Sequence, residues 1–465
     1  GTVAERDTHN PGVMPSAQEL FGLKPELVTR VVDALESGNH ALVRSLVSPL
    51  TSADVADLLE PLRGDQREAL VELLRPDFDP EILAELDETV REQVVEQMGA
   101  EEVAAAITEL DSDDAVEVIE DLEEEVQLKV LEEIPEEERA ILEDSLAYPE
   151  ESAGRLMQRE LVAVPTHGTV GEIIDFLRSE EDLPDDFYDL FVVDPRHHPV
   201  GSVPLSRVLR SKREKTVEKI MDPSPKPVSA LMDQEEVAFL FRRHDLISAP
   251  VVDGDSRLVG VITIDDVVDV IDEEAGEDIL RLGGVAEEDF YGAVVETTQH
   301  RFTWLLVNLG TAFLASLVIF QFEDTIAKFV ALAVLMPIVA SMGGNAGTQT
   351  LTVAVRALAM KELTRTNALR AVGKELLVNG VNGVFFALIT GLAAAWWFDD
   401  PLIGTIIAAA MIINLVIAGF AGTAVPIGLT RLGVDPAIAS GTFVTTVTDV
   451  VGFLAFLGLA ALFLV

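Results

Sequence analysis

The chain carries two hydrophobic patterns and a third between them. Over residues 18–148 apolar side chains recur three and four apart, as in Leu58, Leu59, Leu62 and in Ala115, Val116, Ile119, Leu122. That spacing predicts amphipathic helices with one buried stripe. Acid-rich connectors and Pro49, Pro61, Pro80 and Pro135 cut the stretch into short helices every 12–20 residues. The segments Ile82–Met98 and Val103–Leu122 resemble one another loosely, which predicts stacked helical hairpins in an all-α solenoid. From Phe302 onward the apolar residues become almost continuous. Runs over 302–322, 326–358, 377–398, 402–429 and 436–464 are each long enough to cross a bilayer.

Residues 154–273 lie between the two and contain an internal repeat. Leu156-Met157 returns as Ile220-Met221, and Glu172-Ile-Ile as Glu236-Val-Ala. Val192-Val-Asp194 returns as Val251-Val-Asp253, and Val200-Gly-Ser-Val as Val259-Gly-Val-Ile. The offset is 64 early and 59 late, so the first copy holds about five more residues, expected in Ser179–Asp189. Each copy reads as a short strand, a helix, two strands around a turn, and a helix. That order in tandem resembles a pair of α/β CBS domains, a likeness that implies a cleft suited to an adenine nucleotide. The second copy keeps Gly260-Val-Ile-Thr263-Ile-Asp265-Asp266, with Thr263 and Asp266 where that family holds a ribose. The first copy has Pro204 and Arg207 there. At most one nucleotide site, at Thr263 and Asp266, is therefore intact, and a plain dimerising scaffold is the alternative.

Charge divides the chain in the same place. Acidic residues number 80 against 33 basic, a net charge of −47. Residues 301–465 hold 8 of each, so all of the net charge belongs to the first 300 residues. A polyanionic body excludes nucleic acid as a partner, because phosphate binding needs a basic face. Only 9 of the basic residues are Lys, a composition suited to a salt-loaded cytoplasm and hence to a halophilic source. With no Cys, disulfides and thiolate metal sites are excluded and oxygen ligands are left for any metal. The 7 His form no ligand-spaced cluster. Residues 1–17, read as a disordered tail, lack the basic flank and apolar core of a signal peptide. Arg356, Lys361, Arg365, Arg370 and Lys374 cluster between the second and third apolar runs, and Arg431 lies between the fourth and fifth. By the positive-inside rule those loops are cytoplasmic, which puts the N-terminal body inside and Val465 outside a cell membrane.

Asp449 is the residue most out of place. It lies ~20 Å into the last apolar run, where a carboxylate costs ~2.5–3.5 kcal/mol unless water or a cation compensates it. Thr445 and Thr446 precede it by four and three positions and share its helix face. A face of hydroxyls and one acid suits a wet pore; a protonated or internally paired Asp is the alternative. The second run carries Pro337 and then Ser341-Met-Gly-Gly344-Asn345-Ala-Gly-Thr-Gln349. These residues predict a local helix break whose carbonyls and amides line a cavity, with Asn345 facing the pore and Gly344 beside it. Close packing of small residues explains Gly343 and Gly347 nearly as well, but not Asn345.

The whole order, together with the Gly-Gly-Asn345-Ala-Gly-Thr-Gln349 and Gly433-Val-Asp435-Pro436…Val444-Thr-Thr-Val-Thr-Asp449 stretches, resembles the MgtE family of magnesium channels over residues 20–465. The resemblance implies a multidomain chain. Its parts are an acidic helical N domain at 18–148, CBS domains at 149–212 and 213–274, a connecting (plug) helix at 275–301, and five membrane helices at 302–465. It also implies a homodimer in a lipid bilayer, with two copies of Asp449 holding a hydrated Mg²⁺ across one pore. Carried over, the Mg²⁺ sensor comprises Asp245, Asp266, Asp269, Glu274, Glu277, Asp278 and Asp435, and further Asp57, Asp113 and Glu117. Mg²⁺ between facing acidic surfaces would close the pore, and the CBS cleft admits ATP. The sequence departs from the family at Gly441-Thr442, where an Asn-Pro pair is expected. A carrier of Co²⁺, Ni²⁺ or Mn²⁺ and a membrane-anchored nucleotide sensor are the competing readings. An enzyme is not expected, since no nucleophile–base pair, phosphate loop or catalytic metal motif appears.

Overall fold

The computed structural model describes residues 22–180, 183, 184, 187–285, 294–364 and 366–464. The 1–17 tail, part of the 179–189 insertion and of the 275–301 connector, Arg365 and Val465 lie outside them. The chain forms two units, Gly1–Asp272 and Glu273–Val465.

The first unit opens with helices α1 (Pro25–Glu36), α2 (His40–Val47), α3 (Ser52–Leu59), α4 (Gly64–Leu74) and α5 (Glu81–Glu85). It continues through α6 (Glu88–Met98), α7 (Ala100–Ile107), α8 (Ser112–Glu120), α9 (Glu124–Glu133) and α10 (Glu136–Leu146). The predicted stripes point inward: Leu58, Leu59, Leu70, Leu83, Val90, Val116 and Ile119 are buried. Pro80 and Pro135 stand at the caps of α5 and α10, where a missing N–H costs nothing. A recurring polar device joins successive helices. Arg67 donates to the carbonyls of Leu59, Glu60 and Leu62 at 2.9–3.0 Å, and Arg91 to those of Ala84 and Leu86 at 2.8 and 2.9 Å. Gln127 and Arg139 reach Ile119 and Leu131 in the same way, at 3.2 and 3.5 Å. Each reaches carbonyls at the end of a helix, where intrahelical donors run out. A buried Arg is tolerated there because its guanidinium finds acceptors: three carbonyls and the Gln93 amide oxygen for Arg67, two carbonyls and the Glu117 and Asp121 carboxylates for Arg91.

After α11 (Ala153–Leu156) come the two repeat copies. The first is β1 (Ala163–Pro165), α12 (Val170–Ser179), β2 (Asp189–Val193), β3 (Pro199–Pro204) and α13 (Leu205–Arg210). The second is β4 (Val228–Ser229), α14 (Gln234–His244), β5 (Ser248–Val252), β6 (Leu258–Thr263) and α15 (Ile264–Leu282). Both sheets run parallel then antiparallel, with the same irregularity at Val192/Val193 and Val251/Val252. The helix-to-strand connection is 180–188 in the first copy and 245–247 in the second, which is where the extra residues were expected. The leading segments are exchanged. Met157, ahead of copy one, sits in the core of copy two against Gly260, and Met221 sits on Gly201 of copy one. A Cβ at Gly260 would stand 2.6 Å from the Met157 sulfur, so both repeated glycines are needed for the exchange.

The second unit holds α16 (Val294–Phe320), a short α17 (Glu323–Lys328), α18 (Val330–Ala359), α19 (Ala368–Phe398), α20 (Pro401–Arg431) and α21 (Pro436–Leu464). Five of its helices are long and apolar enough to span a membrane. α16 and α19 begin at 294 and 368 rather than at 302 and 377, because their polar first turns stay helical before the apolar run starts. α20 is the central helix, with Ile407, Ala410, Met411, Asn414 and Ala418 fully enclosed. The expected break near Gly343–Gly347 is absent, and α18 runs unbroken. The glycines serve close approach instead. A Cβ at Gly343 would overlap the Asn414 amide, and one at Gly347 would lie 2.7 Å from Val444 Cγ1. Asn414 donates to the Val339 carbonyl at 2.8 Å and fits against Gly452 on its other side.

Gly343→Ala should therefore push α18 off α20 and cost ~1–3 kcal/mol, the usual range for overpacking. Thermal denaturation of the detergent-solubilised protein should show this, whereas Gly344→Ala, whose Cβ meets nothing within 4 Å, should leave the midpoint in place.

Candidate ion pathway and cation sensor

α18 is polar on the side turned away from its own bundle. Ser341, Asn345, Thr348 and Thr352 follow at four, three and four residues and are all exposed, with Gln349 beside them. In a bilayer such a row faces water or a second copy of the chain, because lipid offers it no hydrogen bonds. Asn345 makes a long 3.4 Å hydrogen bond to Ser341 Oγ, and open space lies beside Gly344. Sequence reasoning named Asn345 and Gly344 but missed Ser341, Thr348 and Thr352. Their four-three-four spacing within an apolar run is the signal that could have found them.

On α21, Thr445 is exposed and Thr446 and Asp449 are half-buried, while Val444 and Thr448 face inward. The hydroxyls of Thr445 and Thr446 donate back to Gly441 and Thr442 carbonyls at 2.9 and 2.6 Å. Thr352 does the same to Thr348, at 3.0 Å. Their protons are thus committed to the helix, and oxygen lone pairs are what these faces present. Such a lining suits a cation still wearing its waters. At position 442, where the expected proline is missing, the Thr442 hydroxyl donates to Asn308 of α16 at 2.9 Å.

The predicted sensor residues fall into separate groups. In the first unit, Asp113 and Glu117 on α8, Asp266 and Asp269 on α15, and Asp57 on α3 belong to one acidic cluster. Glu85 and Asp114, which sequence reading did not name, complete it. Burial, then the charge of Asp266, pushes Asp113 well above the ordinary aspartate range and Asp114 up to about 7. Burial raises Asp266 to about 6 against two hydrogen bonds from Thr263, and burial also raises Asp269 and Glu85. Glu117 accepts from Arg91 at 2.7 Å, so part of its charge is already met by a guanidinium. Among the described residues no three carboxylates or imidazoles converge tightly enough to form a finished ion cage. Crowded, partly buried carboxylates of this kind are what a divalent cation would neutralise, and their all-oxygen character fits Mg²⁺. In the second unit Glu277 and Asp278 of α15 lie near Asp435, and burial followed by the Asp435 charge raises Asp278. Glu274 is on the same helix.

Asp245 stands apart. It ends α14 in a left-handed conformation (φ 53°) and lines a cavity of about 680 Å³. That cavity lies at Pro204 and Ser206, the copy that has lost the ribose motif. The space beside Thr263 is only about 20 Å³, and Asp266 there is bonded to Thr263 at 2.8 Å. Arg207 is turned to the Ile220 carbonyl at 2.9 Å.

Five spanning helices with an acid in the last, joined by one helix to tandem CBS folds and an acidic solenoid, define a multi-pass membrane protein of the cation-transporting class. Residues 336–459 match the family model of a divalent cation transporter, MgtE. Residues 50–151 match the MgtE intracellular N domain, and 217–273 a CBS domain. The chain is 30% identical over 440 residues to the magnesium transporter MgtE of Bacillus subtilis, covering 94% of this chain and 98% of that one. It is 35% identical over 329 residues to the Thermus thermophilus magnesium transporter MgtE, 70% of this chain and 73% of the other. The solved cytosolic domain of the Mg²⁺ channel MgtE in complex with ATP is similar at 29% identity and a TM-score of 0.48, over 52% of this chain and 99% of that one. The chain belongs to the MgtE family of magnesium transporters.

The acidic cluster makes stability fall as pH rises. The unfolded chain ionises Asp114 near 3.8, the folded one near about 7, so the folded state binds the extra proton between those values. The resulting penalty grows from about pH 4 to about pH 7 and is constant above, with ~4 kcal/mol as an upper bound. Asp114→Asn should raise the melting temperature at pH 8 without divalent cations and lose most of that gain at pH 5. It should also reduce the stabilisation that added Mg²⁺ gives.

Proposed function

We propose that this protein is a Mg²⁺-selective channel for uptake, assembled as a homodimer and closed by Mg²⁺ on its cytoplasmic side. The observation that carries this reading is the polar flank of the bundle. Ser341, Asn345, Thr348 and Thr352 on α18 and Thr445 on α21 are exposed on one chain's membrane unit, and Asp449, four residues after Thr445, is half-buried. Such a flank is half of a pore wall, and a two-fold partner would complete it with a second Asp449. Two opposed carboxylates and a ring of hydroxyl oxygens hold a hydrated Mg²⁺ through its waters, which this ion sheds reluctantly. Softer metals gain little from such a lining, since it offers neither sulfur nor imidazole.

For the gate, Mg²⁺ between α8 and α15 relieves repulsion among Asp113, Asp114, Asp266 and Asp269. The acidic solenoid and second CBS copy then close on one another. α15 runs unbroken from that copy to Leu282, so it carries the change to the membrane unit as a rigid rod. The same reading places the basic α18–α19 loop and the acidic domains in the cytoplasm and the C-terminus outside. We further propose an adenine nucleotide such as ATP in the 680 Å³ cavity, within the ~300–1,000 Å³ usual for small-molecule sites. Phe187, Tyr188 and Leu246 would take the base and Lys226 a phosphate. Asp189, Asp222 and Asp245 on its wall would favour the Mg²⁺-bound nucleotide over the bare one.

Reconstituted into liposomes, the native protein should pass Mg²⁺, and influx should fall as cytoplasmic-side Mg²⁺ rises. Asp449→Ala and Asp449→Asn should each lower influx about tenfold or more, since neither leaves a charge to offset the cation's lost water contacts. Native-like influx in both variants would remove Asp449 from the ion path. Influx of Co²⁺ or Ni²⁺ in preference to Mg²⁺ would overturn the selectivity.

A further inference from the structure

The end of α15 is fastened to the membrane bundle inside the second unit. Leu282 packs into a cluster of Leu351, Val355, Ala421, Ala437 and Val444, from α18, α20 and α21. The chain then turns at Gly284, whose positive φ of 74° and contact with the Trp304 indole leave no room for a Cβ. One residue before Leu282, Arg281 donates from Nη1 to Asp435 Oδ2 at 2.7 Å and pairs through Nη2 with Glu277, one turn back on its own helix. The other oxygen of Asp435 accepts the Ala437 N–H at 2.7 Å and so caps the first turn of α21. α21 is the helix that carries Asp449. A single guanidinium therefore joins the connector helix to the start of a pore helix.

This ion pair differs from an ordinary surface pair. The side chains of Arg281, Glu277 and Asp435 are 24, 20 and 28% exposed, so water and salt screen them only in part. The planar fork of Arg reaches two carboxylates at once, which an ammonium cannot do with fixed geometry. The corner is also over-supplied with negative charge. Glu277, Asp278 and Asp435 meet there, and Arg281 neutralises fewer than all of them. Room is left for a further cation.

We propose that Arg281 is a built-in cationic latch, holding the connector helix to the N-terminus of the last membrane helix before any Mg²⁺ binds. The proposal rests on the gating reading above and adds to it a closed bias that needs no divalent cation. Mg²⁺ at Glu277, Asp278 and Asp435 then strengthens a junction that Arg281 has already formed. Arg281 is a positioning residue: it touches no permeating ion and acts through Asp435 and the cap of α21.

The test is Mg²⁺ influx through the full-length protein in liposomes, without cytoplasmic-side Mg²⁺ and over a rising series. Native protein is compared with Arg281→Gln, Arg281→Lys, Asp435→Asn and the Arg281→Gln/Asp435→Asn pair. Asn still caps a helix, so Asp435→Asn breaks the latch from its other end with the helix start intact. In zero Mg²⁺, Arg281→Gln should raise influx about twofold or more, and Arg281→Lys should fall between it and the native protein. The double variant should add little to the larger single effect, because one bridge can be lost only once. Native-level influx for Arg281→Gln in zero Mg²⁺, or additive effects in the double variant, would overturn the latch. A native protein whose influx ignores cytoplasmic Mg²⁺ would sink the gating reading instead, and the zero-Mg²⁺ comparison would still decide the latch.

Discussion

Carboxylates held close together and half out of water are unstable neighbours, and much of this molecule is arranged around that fact. Burial raises Asp113, Asp114, Asp266 and Asp278, and nearby acids raise them further. Repulsion of this kind is relieved by a proton, an arginine or a metal ion, and the first two have a place here. Protons occupy the α8–α15 cluster at low pH. Arg91 holds Glu117 and Asp121, and Arg281 holds Glu277 and Asp435. Arginine leaves part of the charge unneutralised, and that surplus is the basis of the cation sensing proposed for the acidic body.

The two units solve opposite solvation problems. In the solenoid, buried Arg67 and Arg91 survive because their guanidinium groups find helix-terminal carbonyls and, for Arg91, the Glu117 and Asp121 carboxylates. In the membrane unit, Asn414 takes the corresponding role with one amide, tying α20 to the α18 backbone between two glycines. The polar groups left facing outward, on α18 and α21, are those for which the ion pathway is proposed. A helix rod, α15, links the regions by covalent continuity.

Much was legible from side-chain periodicity. Three-and-four spacing located the solenoid, the internal repeat located both α/β copies and the longer loop of the first, and hydropathy located five spans. A lone acid in an apolar run singled out Asp449. Less legible were features that depend on which face of a helix is covered. Ser341, Thr348 and Thr352 look like scattered polar residues until the buried face of α18 is known. Gly343 and Gly347 admit both a helix break and close packing until Asn414 and Val444 are seen to fill the space beside them. Glu85 and Asp114 were indistinguishable from dozens of solvated acids, because composition cannot say which carboxylates share a cavity.

The sequence by itself determined the architecture, the transport class and the chemistry available, since periodicity, net charge and the absence of Cys are local or additive properties. Only the tertiary structure decided which acids crowd together, that α18 stays continuous, that Met157 and Met221 exchange places, and that the larger CBS cavity lies at Pro204. It also decided that Arg281 stands between Glu277 and Asp435. Those outcomes turn on pairs of residues far apart in the chain, Arg281 and Asp435 by more than 150 positions. Their meeting is set by how whole helices pack, to which local sequence pattern is blind.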